Sequence, residues 1–170
     1  MTENTLTFAR RAFLMASGAL GLSACVGESQ AADASELRYA SAPVRRLTEA
    51  QWRQRLSPAA FDVLRREGTE RPRSSPLNRE NRRGTYVCAG CELPLFRSDW
   101  KFESGTGWPS FHTVMRENVG TKRDLVMLIP RTEYHCARCL GHQGHVFDDG
   151  PRPTGLRYCN NGVALRFVPA

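Results

Sequence analysis

Residues 88–91 read CAGC and residues 136–139 read CARC, a repeat that constrains how the chain must fold. Four thiolates at this spacing suit a tetrahedral zinc ion, because each CxxC turn delivers two sulfurs to one side of the metal. The two motifs are too far apart for a simple zinc ribbon, so we expect the tertiary fold to bring them together. The predicted ligands of one structural zinc ion per chain are Cys88, Cys91, Cys136 and Cys139.

Two other arrangements of these cysteines stay open at the level of sequence. In an exported protein they would form two disulfides, or one CxxC would act as a redox dithiol. A metal measurement on the purified protein separates both from a zinc site.

The chain around the two motifs has the pattern of short strands. Apolar runs follow residue 81 and are interrupted by glycine, proline and aspartate; they are GTYVCAG (84–90), LPLF (93–96), DLVMLIP (124–130), GHVFDD (144–149) and VALRFVP (163–169). Runs of this length between turn residues predict an antiparallel sheet or a small barrel.

Two short helices are predicted ahead of these strands. Thr48 caps the first, LTEAQWRQRL, and Ser57 caps the second, SPAAFDVLRREGTE. Pro58 occupies the first position of the second helix, and Gly68 is its predicted C-terminal stop.

The first 34 residues have the pattern of an export signal. In ARRAFLMASGALGLSAC a twin arginine precedes an apolar run of about ten residues, too short to span a bilayer, which predicts the Tat route. LSAC (22–25) resembles a lipobox that would acylate Cys25, whereas SQA (29–31) and ADA (32–34) are alternative cleavage sites. We favour the lipobox and expect a periplasmic or otherwise extracytoplasmic protein that meets a membrane only through a lipid anchor at Cys25.

The rest of the chain is predicted to be a linker over residues 35–46 and one domain over residues 47–170. The 170 residues are 41% hydrophobic and 24% charged, which is ordinary for a globular protein with its own core. Much of the net charge of +7 lies in residues 65–83, where arginine and glutamate alternate. Such alternation is typical of a solvated surface, so we expect no nucleic-acid partner, and we expect a monomer.

One cysteine, in GLRYCNNG (155–162), has no CxxC partner. With four cysteines committed to zinc and Cys25 removed or acylated, Cys159 is the free thiol of the domain. A lone buried cysteine most often packs as a small hydrophobic residue. Its neighbours favour a nucleophile, because Arg157 and Asn161 share its face of a strand and Arg157 could hold the sulfur as thiolate.

Other polar and aromatic residues supply the remaining parts of a site. GHQGHVFDDG contains His142, His145 and Asp149, which offer a proton donor and an orienting carboxylate. SGTGWPSF places Trp108 among turn residues. Together these residues describe an apolar pocket beside a nucleophilic sulfur.

From residue 47 to residue 169 the chain resembles the methionine-R-sulfoxide reductase family, B type. The resemblance rests on CAGC, KFESGTGWPSF, CARCLGHQGHVFDDGP and LRYCNNGVAL, in the family's order. It implies a mainly β fold, with two antiparallel sheets forming a small open barrel or tent-like fold, short N-terminal helices and a zinc site of four cysteines.

The resemblance also implies which residues form the site. Cys159 would be the nucleophile. The other implied catalytic residues are His142, His145, Asp149, Arg157 and Asn161, and the implied substrate-binding residues are Trp108 and Phe111. The implied reaction reduces the R epimer of methionine sulfoxide in oxidised proteins to methionine and leaves a sulfenic acid on Cys159.

This reaction needs a thiolate to attack sulfur and an acid to protonate the departing oxygen. We expect Arg157 and the histidines to lower the pKa of Cys159, and one of His142 or His145 to donate the proton; the sequence does not distinguish the two. Trp108 would receive the methyl group of the substrate and reject the other epimer by shape.

Three positions depart from the family pattern. Thr106 stands where many members carry a resolving cysteine, so we expect an external thiol, carried by a thioredoxin-like protein, to reduce Cys159. Gln143 stands where the family usually has an apolar residue. The run after the nucleophile, CNNG, is more polar than usual, although Asn161 is retained.

Two rival functions stay open. A zinc-ribbon-like binding module would need the two CxxC motifs but neither Cys159 nor the histidines. A thiol–disulfide oxidoreductase would use one CxxC as its dithiol and predicts that zinc is absent.

Overall fold

The computed structural model of the chain describes residues 34–125 and 130–170. The predicted signal segment, with Cys25, and the middle of the apolar run 124–130 lie outside the described residues. Within the described ranges, no helix has both the length and the apolar character that a membrane span requires.

Residues 35–46, which we expected to be a linker, instead fold against the domain. They contain most of a short helix, α1 (Ala34–Leu37), and a 3-10 turn (Pro43–Arg46). The Tyr39 hydroxyl donates a hydrogen bond to Asn118 Oδ1 at 2.9 Å. The segment is attached by hydrogen bonds more than by an apolar stripe, so its polar composition did not reveal that it packs.

Helix α2 (Glu49–Arg55) begins at the cap that the sequence predicts. The Thr48 side chain accepts a hydrogen bond from the Gln51 amide, and the Gln51 side chain accepts one from the Thr48 amide. This reciprocal capping box satisfies two amides that the first turn leaves free.

Helix α3 (Pro58–Arg66) is capped by Ser57, whose hydroxyl accepts from the Ala60 amide. The helix ends at Glu67, which takes the left-handed conformation with φ of 58°. The predicted stop, Gly68, is therefore one residue too late.

Two antiparallel sheets form the rest of the described fold. The strands are β1 (Gly84–Cys88), β2 (Pro94–Arg97), β3 (Lys101–Phe102), β4 (Ser110–Phe111), β5 (Val119–Asp124), β6 (Arg131–Cys136), β7 (His142–Phe147), β8 (Arg157–Asn160) and β9 (Leu165–Pro169). The smaller sheet has the order β2-β1-β9, and the larger has the order β3-β4-β8-β7-β6-β5. The predicted mainly β fold with two antiparallel sheets is confirmed, and the sheets do not close into a barrel.

Strand prediction succeeded where apolar residues were continuous. The runs beginning at residues 84, 93 and 144 lie in β1, β2 and β7, and the last run forms β9 after a 3-10 turn at Gly162–Ala164. Strands β5 and β6 carried no clear signal, because both contain several charged and polar residues and neither has a continuous apolar run.

The core lies between the two sheets and is rich in aromatic rings. Phe96 of β2 stacks on Phe111 of β4 with ring centroids 4.0 Å apart, and Tyr86 meets Phe111 edge to face at 4.9 Å. All three side chains are fully buried. Packing of these rings fixes the position of the larger sheet, in which β8 is an interior strand.

Candidate functional site

The four cysteines of the CxxC motifs come together, as the spacing predicts. Their Sγ atoms all lie within 4.8 Å of one another, with Cys88 and Cys139 at 3.6 Å and Cys91 and Cys136 at 3.4 Å. A disulfide would need about 2.05 Å. Sulfurs about 2.3 Å from a central zinc ion would stand at about the distances seen here, so these side chains fit a tetrahedral metal ion.

The two motifs have the same backbone geometry. The residue after the second cysteine, Glu92 or Leu140, is left-handed, with φ of 63° and 59° respectively. Its amide donates to the carbonyl of the first cysteine, Cys88 or Cys136, at 2.8 Å in both motifs. Because the two turns have the same backbone geometry, they direct both pairs of sulfurs toward one point.

Helices α2 and α3 hold the outer side of this cluster. Arg55 Nε donates to the Gly90 carbonyl at 2.9 Å, and Arg65 donates to the Cys139 carbonyl at 2.9 Å. A Cβ added at Gly90 would meet the Trp52 ring at 3.3 Å, which shows how closely α2 covers the first motif. The metal-binding end therefore depends on the helices as well as on the strands.

Gln143 connects the cysteine cluster to a second site. Its side chain is fully buried, and Nε2 lies 3.4 Å from Cys88 Sγ. Its backbone carbonyl accepts hydrogen bonds from the Asn161 amide at 2.9 Å and from Asn161 Nδ2 at 3.1 Å. One residue of β7 thus contacts a predicted metal ligand and the chain that follows Cys159.

Cys159 lies on β8, between two other strands of the larger sheet. It pairs with Ser110 on β4 and with His145 on β7. A Cβ added at Gly144 would lie 1.9 Å from the Cys159 carbonyl oxygen, so only glycine allows β7 to approach β8 this closely. The sulfur is thereby fixed by paired backbone on both sides.

A small cavity of about 140 Å³ opens beside Cys159. Its lining combines sulfur, aromatic and polar side chains, which are Thr69, Trp108, Arg131, Gly144, His145, Phe147, Cys159, Asn160 and Asn161. The Trp108 indole donates from Nε1 to the Glu70 carbonyl at 3.1 Å, which fixes the ring against the segment before it. The predicted neighbourhood of Cys159 and Trp108 exists in the structure.

The pKa of the Cys159 thiol differs from the expectation. Burial raises the pKa above its ordinary value, although the Arg157 charge and hydrogen bonds from Thr106 and Arg157 act to lower it. The prediction of a lowered pKa is therefore wrong, because burial of the sulfur removes water that would stabilise the thiolate. The largest lowering effect comes from the Arg157 charge, as the sequence predicts.

Arg157 and Asp149 form a bidentate ion pair beside Cys159. Arg157 Nε lies 2.7 Å from Asp149 Oδ1, and Nη2 lies 2.8 Å from Oδ2. The Asp149 carboxylate raises the pKa of Arg157 and fixes the direction of its guanidinium, which also stacks over the Phe147 ring at 4.3 Å. Asp149 thus acts on Cys159 through Arg157.

The two histidines occupy different environments. His145 lines the cavity, and its Nε2 lies 2.8 Å from Asp124 Oδ2; burial lowers its pKa even though Asp124 acts to raise it. His142 is buried away from the cavity lining, with Nδ1 2.9 Å from Glu133 Oε1. The geometry therefore distinguishes two residues that the sequence could not.

Asn161 lies at the cavity and also ties it to another segment. Its Oδ1 accepts a hydrogen bond from the Glu70 amide at 3.0 Å, and Glu70 Oε1 accepts from the Gly162 amide at 2.5 Å. Burial raises the pKa of the Glu70 carboxyl despite these amide contacts. Asn161 therefore links the cavity lining to the segment that contains Glu70.

Phe111, predicted to bind substrate, is a core residue. Its ring is fully buried between Phe96 and Tyr86 and does not line the cavity. The aromatic side chain at the cavity, besides Trp108, is Phe147. Alternation along β4 explains this position, because Phe111 and its neighbour Ser110 point to opposite faces of the sheet.

Sequence reasoning did not identify the carboxylates that hold the histidines. Asp124 ends β5 and Glu133 lies in β6, and neither belongs to a recognisable motif. Only the register of the larger sheet, in which Glu133 pairs with His145, brings these strands to the site. That register cannot be deduced from residue types alone.

Comparison with known proteins gives one consistent family. Residues 56–169 match the family described as SelR domain. The peptide methionine sulfoxide reductase MsrB of Bradyrhizobium diazoefficiens is 54% identical over 123 residues, covering 72% of this chain and 88% of the relative. The MsrB proteins of Agrobacterium fabrum and Methanosarcina barkeri are 48% and 50% identical over 71–72% of this chain and 91% and 85% of their own length.

One solved structure is also similar, although weakly. The crystal structure of the Mis18 'Yippee-like' domain aligns with a TM-score of 0.40 at 17% identity, covering 52% of this chain and 98% of that one.

Proposed function

The chain belongs to the SelR domain family of peptide methionine sulfoxide reductases, and from this membership we propose that it reduces the R epimer of methionine sulfoxide in proteins. The observation that carries the proposal is the cavity of about 140 Å³ in which Cys159, Trp108 and His145 meet. It is large enough for a methyl sulfoxide group and presents a nucleophile, an aromatic wall and a titratable ring.

In the proposed reaction the Cys159 sulfur attacks the sulfoxide sulfur. The sulfur–oxygen bond of the substrate breaks, the oxygen passes to Cys159 and methionine leaves, so that one thiol becomes one sulfenic acid and one sulfoxide is reduced. Arg157 favours the thiolate against the cost of burial, with its guanidinium directed by Asp149.

We assign the proton transfer to His145 rather than to His142. His145 lines the cavity and is oriented by Asp124. His142 is only 3% exposed beside Glu133 and has no access to the cavity in the described part of the chain. The contact between the two rings, with centroids 5.5 Å apart, makes His142 a support for His145.

Selectivity for the R epimer follows from the shape of the cavity. The Trp108 ring is held by its hydrogen bond to Glu70 and is proposed to receive the methyl group, while Asn161, which is also bonded to Glu70, lines the same cavity. The S epimer would exchange the positions of oxygen and main chain, which this rigid wall disfavours.

We further propose that the four clustered cysteines hold one structural zinc ion. Four sulfur donors within 4.8 Å and an amide donor from Gln143 suit a thiolate-bound metal. The ion would supply no chemistry to the sulfoxide and would tie β1 to the turn after β6. Full burial of Cys88 and Cys136 speaks against the rival dithiol function, because a redox dithiol must be reached by its partner.

Regeneration is proposed to require an external thiol. In the described residues the only other cysteines are the four of the cluster, so none is free to attack a sulfenic acid on Cys159. A thioredoxin-like dithiol protein outside the cytoplasm is the proposed donor, in keeping with the predicted Tat-type signal and the predicted lipid anchor at Cys25. We propose a monomer.

The test is reduction of a methionine sulfoxide peptide of resolved configuration, with dithiothreitol as reductant. We expect the R epimer to be consumed and the S epimer to remain. Equal rates for the two epimers would contradict the epimer assignment, and no reduction of either would contradict the proposed function.

A further inference from the structure

We propose that a second, basic cleft beside the cavity binds an acidic part of the substrate protein, three or four residues from the oxidised methionine. This basic cleft has a volume of about 570 Å³ and is lined by Arg73, Ser74, Asn78, Arg79, Glu103 and Gly107, among others. The inference rests on the proposed function, since it concerns how a protein substrate would be held.

The cavity and the basic cleft share two walls. Thr69 lines the cavity and Arg73 lines the basic cleft, at the two ends of one short segment. In the segment that adjoins it, Trp108 lines the cavity and its neighbour Gly107 lines the basic cleft. A peptide that places a side chain against Trp108 therefore has the basic cleft next to it.

The relative position of the two openings is fixed by backbone contacts. The Arg73 amide donates to the Gly107 carbonyl at 2.6 Å, and Asn78 Nδ2 donates to the same oxygen at 2.9 Å. Gly107 has φ of 90°, and a Cβ there would meet Arg73 at 3.0 Å, so the two segments touch directly. This wall is preformed rather than dependent on a ligand.

The basic cleft is positively charged, and its two arginine side chains are unpaired among the described residues. Neither the Arg73 guanidinium nor that of Arg79 makes a hydrogen bond or an ion pair with any residue that the structure describes. By contrast the nearby Arg82 pairs with Glu80 at 2.5 Å. The one carboxylate in the lining, Glu103, already accepts from the Gly105 amide at 2.7 Å.

The length of the shared wall sets the position of the acidic residue. Arg73 lies four positions after Thr69, and four residues span at most about 14 Å even when fully extended. A substrate strand running along this wall would place its third or fourth residue from the methionine over the arginines. Arg73 and Arg79 are both exposed, so each ion pair with the substrate would contribute little to binding and would be screened by salt.

The experiment compares three R-sulfoxide peptides that carry glutamates, glutamines or lysines at the third and fourth positions on either side of the methionine. The wild-type protein is expected to give kcat/KM in the order glutamate, glutamine, lysine, with about 3- to 10-fold between the extremes at low salt. The order is expected to disappear at high salt.

The variant Arg79→Glu is expected to remove or reverse the order while leaving the glutamine peptide unchanged. Arg46→Glu makes the same change of charge at an exposed site outside the basic cleft and is expected to keep the order. Equal rates for the three peptides in the wild type would overturn this inference alone, because the proposed function needs only the glutamine peptide to react. A changed KM for the thiol donor with an unchanged peptide order would also overturn it, in favour of a donor-binding role.

A different observation carries a second inference, which rests on the proposed zinc ion. We infer that the buried Gln143 amide donates a hydrogen bond to the metal-bound sulfur of Cys88 and lowers its reactivity. Nε2 lies 3.4 Å from that sulfur, whereas Oε1 is buried without a hydrogen-bond partner in the described residues. A buried carbonyl oxygen without a hydrogen bond, such as Oε1, destabilises the fold. The hydrogen bond from Nε2 to an anionic sulfur offsets that cost.

The test measures zinc release from the loaded protein under hydrogen peroxide and maps which cysteine N-ethylmaleimide modifies first. Gln143→Leu is expected to release zinc about 3- to 10-fold faster, with Cys88 as the first modified residue. Gln143→Met, of similar size and also without a donor, should behave as the leucine variant does. Unchanged release in both variants, or first modification at Cys139, would overturn the inference, whereas lack of zinc in the wild type would overturn the zinc proposal itself.

Discussion

The cysteine cluster of the two CxxC motifs and the single Cys159 lie on either side of one residue, Gln143, yet their surroundings differ in kind. The clustered cysteines are between 0% and 8% exposed and face one another, backbone amides and the Gln143 amide. Cys159 is only partly buried and faces a cavity, a guanidinium and the Thr106 hydroxyl.

This difference shows that the environment, and not the sulfur, assigns the role. Four sulfurs held by equal turns offer a closed site in which a metal ion is the natural occupant. A single sulfur beside Arg157 and an opening offers a nucleophile to something that enters from outside. Substitutions in the cysteine cluster and around Cys159 test the two environments separately.

The largest expected effect comes from removing the nucleophile. Cys159→Ser should lower turnover of the R-sulfoxide peptide by at least about 10³-fold, because a hydroxyl is far less nucleophilic than a thiolate at neutral pH. Its zinc content and its unfolding midpoint should stay those of the wild type. Measurable turnover by this variant would mean that a clustered cysteine performs the chemistry.

The next largest effect is expected on stability. Cys136→Ser removes one ligand from the cluster and should cost several kcal/mol of the free energy of unfolding, because metal binding and folding are coupled. Zinc analysis and denaturant unfolding measure the change, and Cys159→Ser serves as the matched loss of a sulfur. A folded and fully active Cys136→Ser protein without zinc would contradict a structural metal.

A moderate effect is expected on the reactivity of Cys159. Arg157→Met removes the charge that opposes the effect of burial, so the pKa of the thiol should rise further. Because the thiolate forms above this pKa, alkylation by iodoacetamide should be about tenfold slower near neutral pH and recover as the pH rises.

The control for that change is Arg97→Met, which disrupts a similar arginine–aspartate pair on the protein surface. Its alkylation profile should match that of the wild type. A profile for Arg157→Met that also matches the wild type would show that Arg157 does not act on the sulfur.

The smallest effect on rate is expected from adding a cysteine at position 106, near Cys159. Thr106 lies near enough to Cys159 to lower its pKa, so in the variant Thr106→Cys the introduced thiol should form a disulfide with Cys159 after one equivalent of sulfoxide without reductant. The wild type should instead leave a trappable sulfenic acid, and turnover with dithiothreitol should differ little. A wild-type disulfide between Cys159 and Cys88, found by peptide mapping, would break the separation between the two sites.

Features that depend on a few adjacent residues were predicted from the sequence, whereas features that depend on strand register were not. The CxxC spacing identified four cysteines that converge, and caps at Thr48 and Ser57 located two helices, since each depends on a few adjacent residues. The positions of Asp124 and Glu133 depend on strand register across the larger sheet, which residue types do not encode.

The same reasoning explains what the sequence did not show about Cys159 and Phe111. The sequence showed a positive charge two residues from Cys159 but could not show how far burial would raise its pKa. Phe111 looked like a pocket residue because it belongs to the same motif as Trp108. Its position facing Phe96 became visible only when the sheets were packed.

The place of β8 inside the larger sheet has a consequence for motion. Its residues 158–160 have neighbouring strands on one or both sides, whereas β5 lies at an edge of the sheet. Local opening begins at edges and loops, so amide hydrogen exchange should be slowest in β8 and faster at residues 69–73 and 103–107. The Cys159 sulfur therefore lies on the strand expected to open least, so faster exchange in the neighbouring loops leaves its position unchanged.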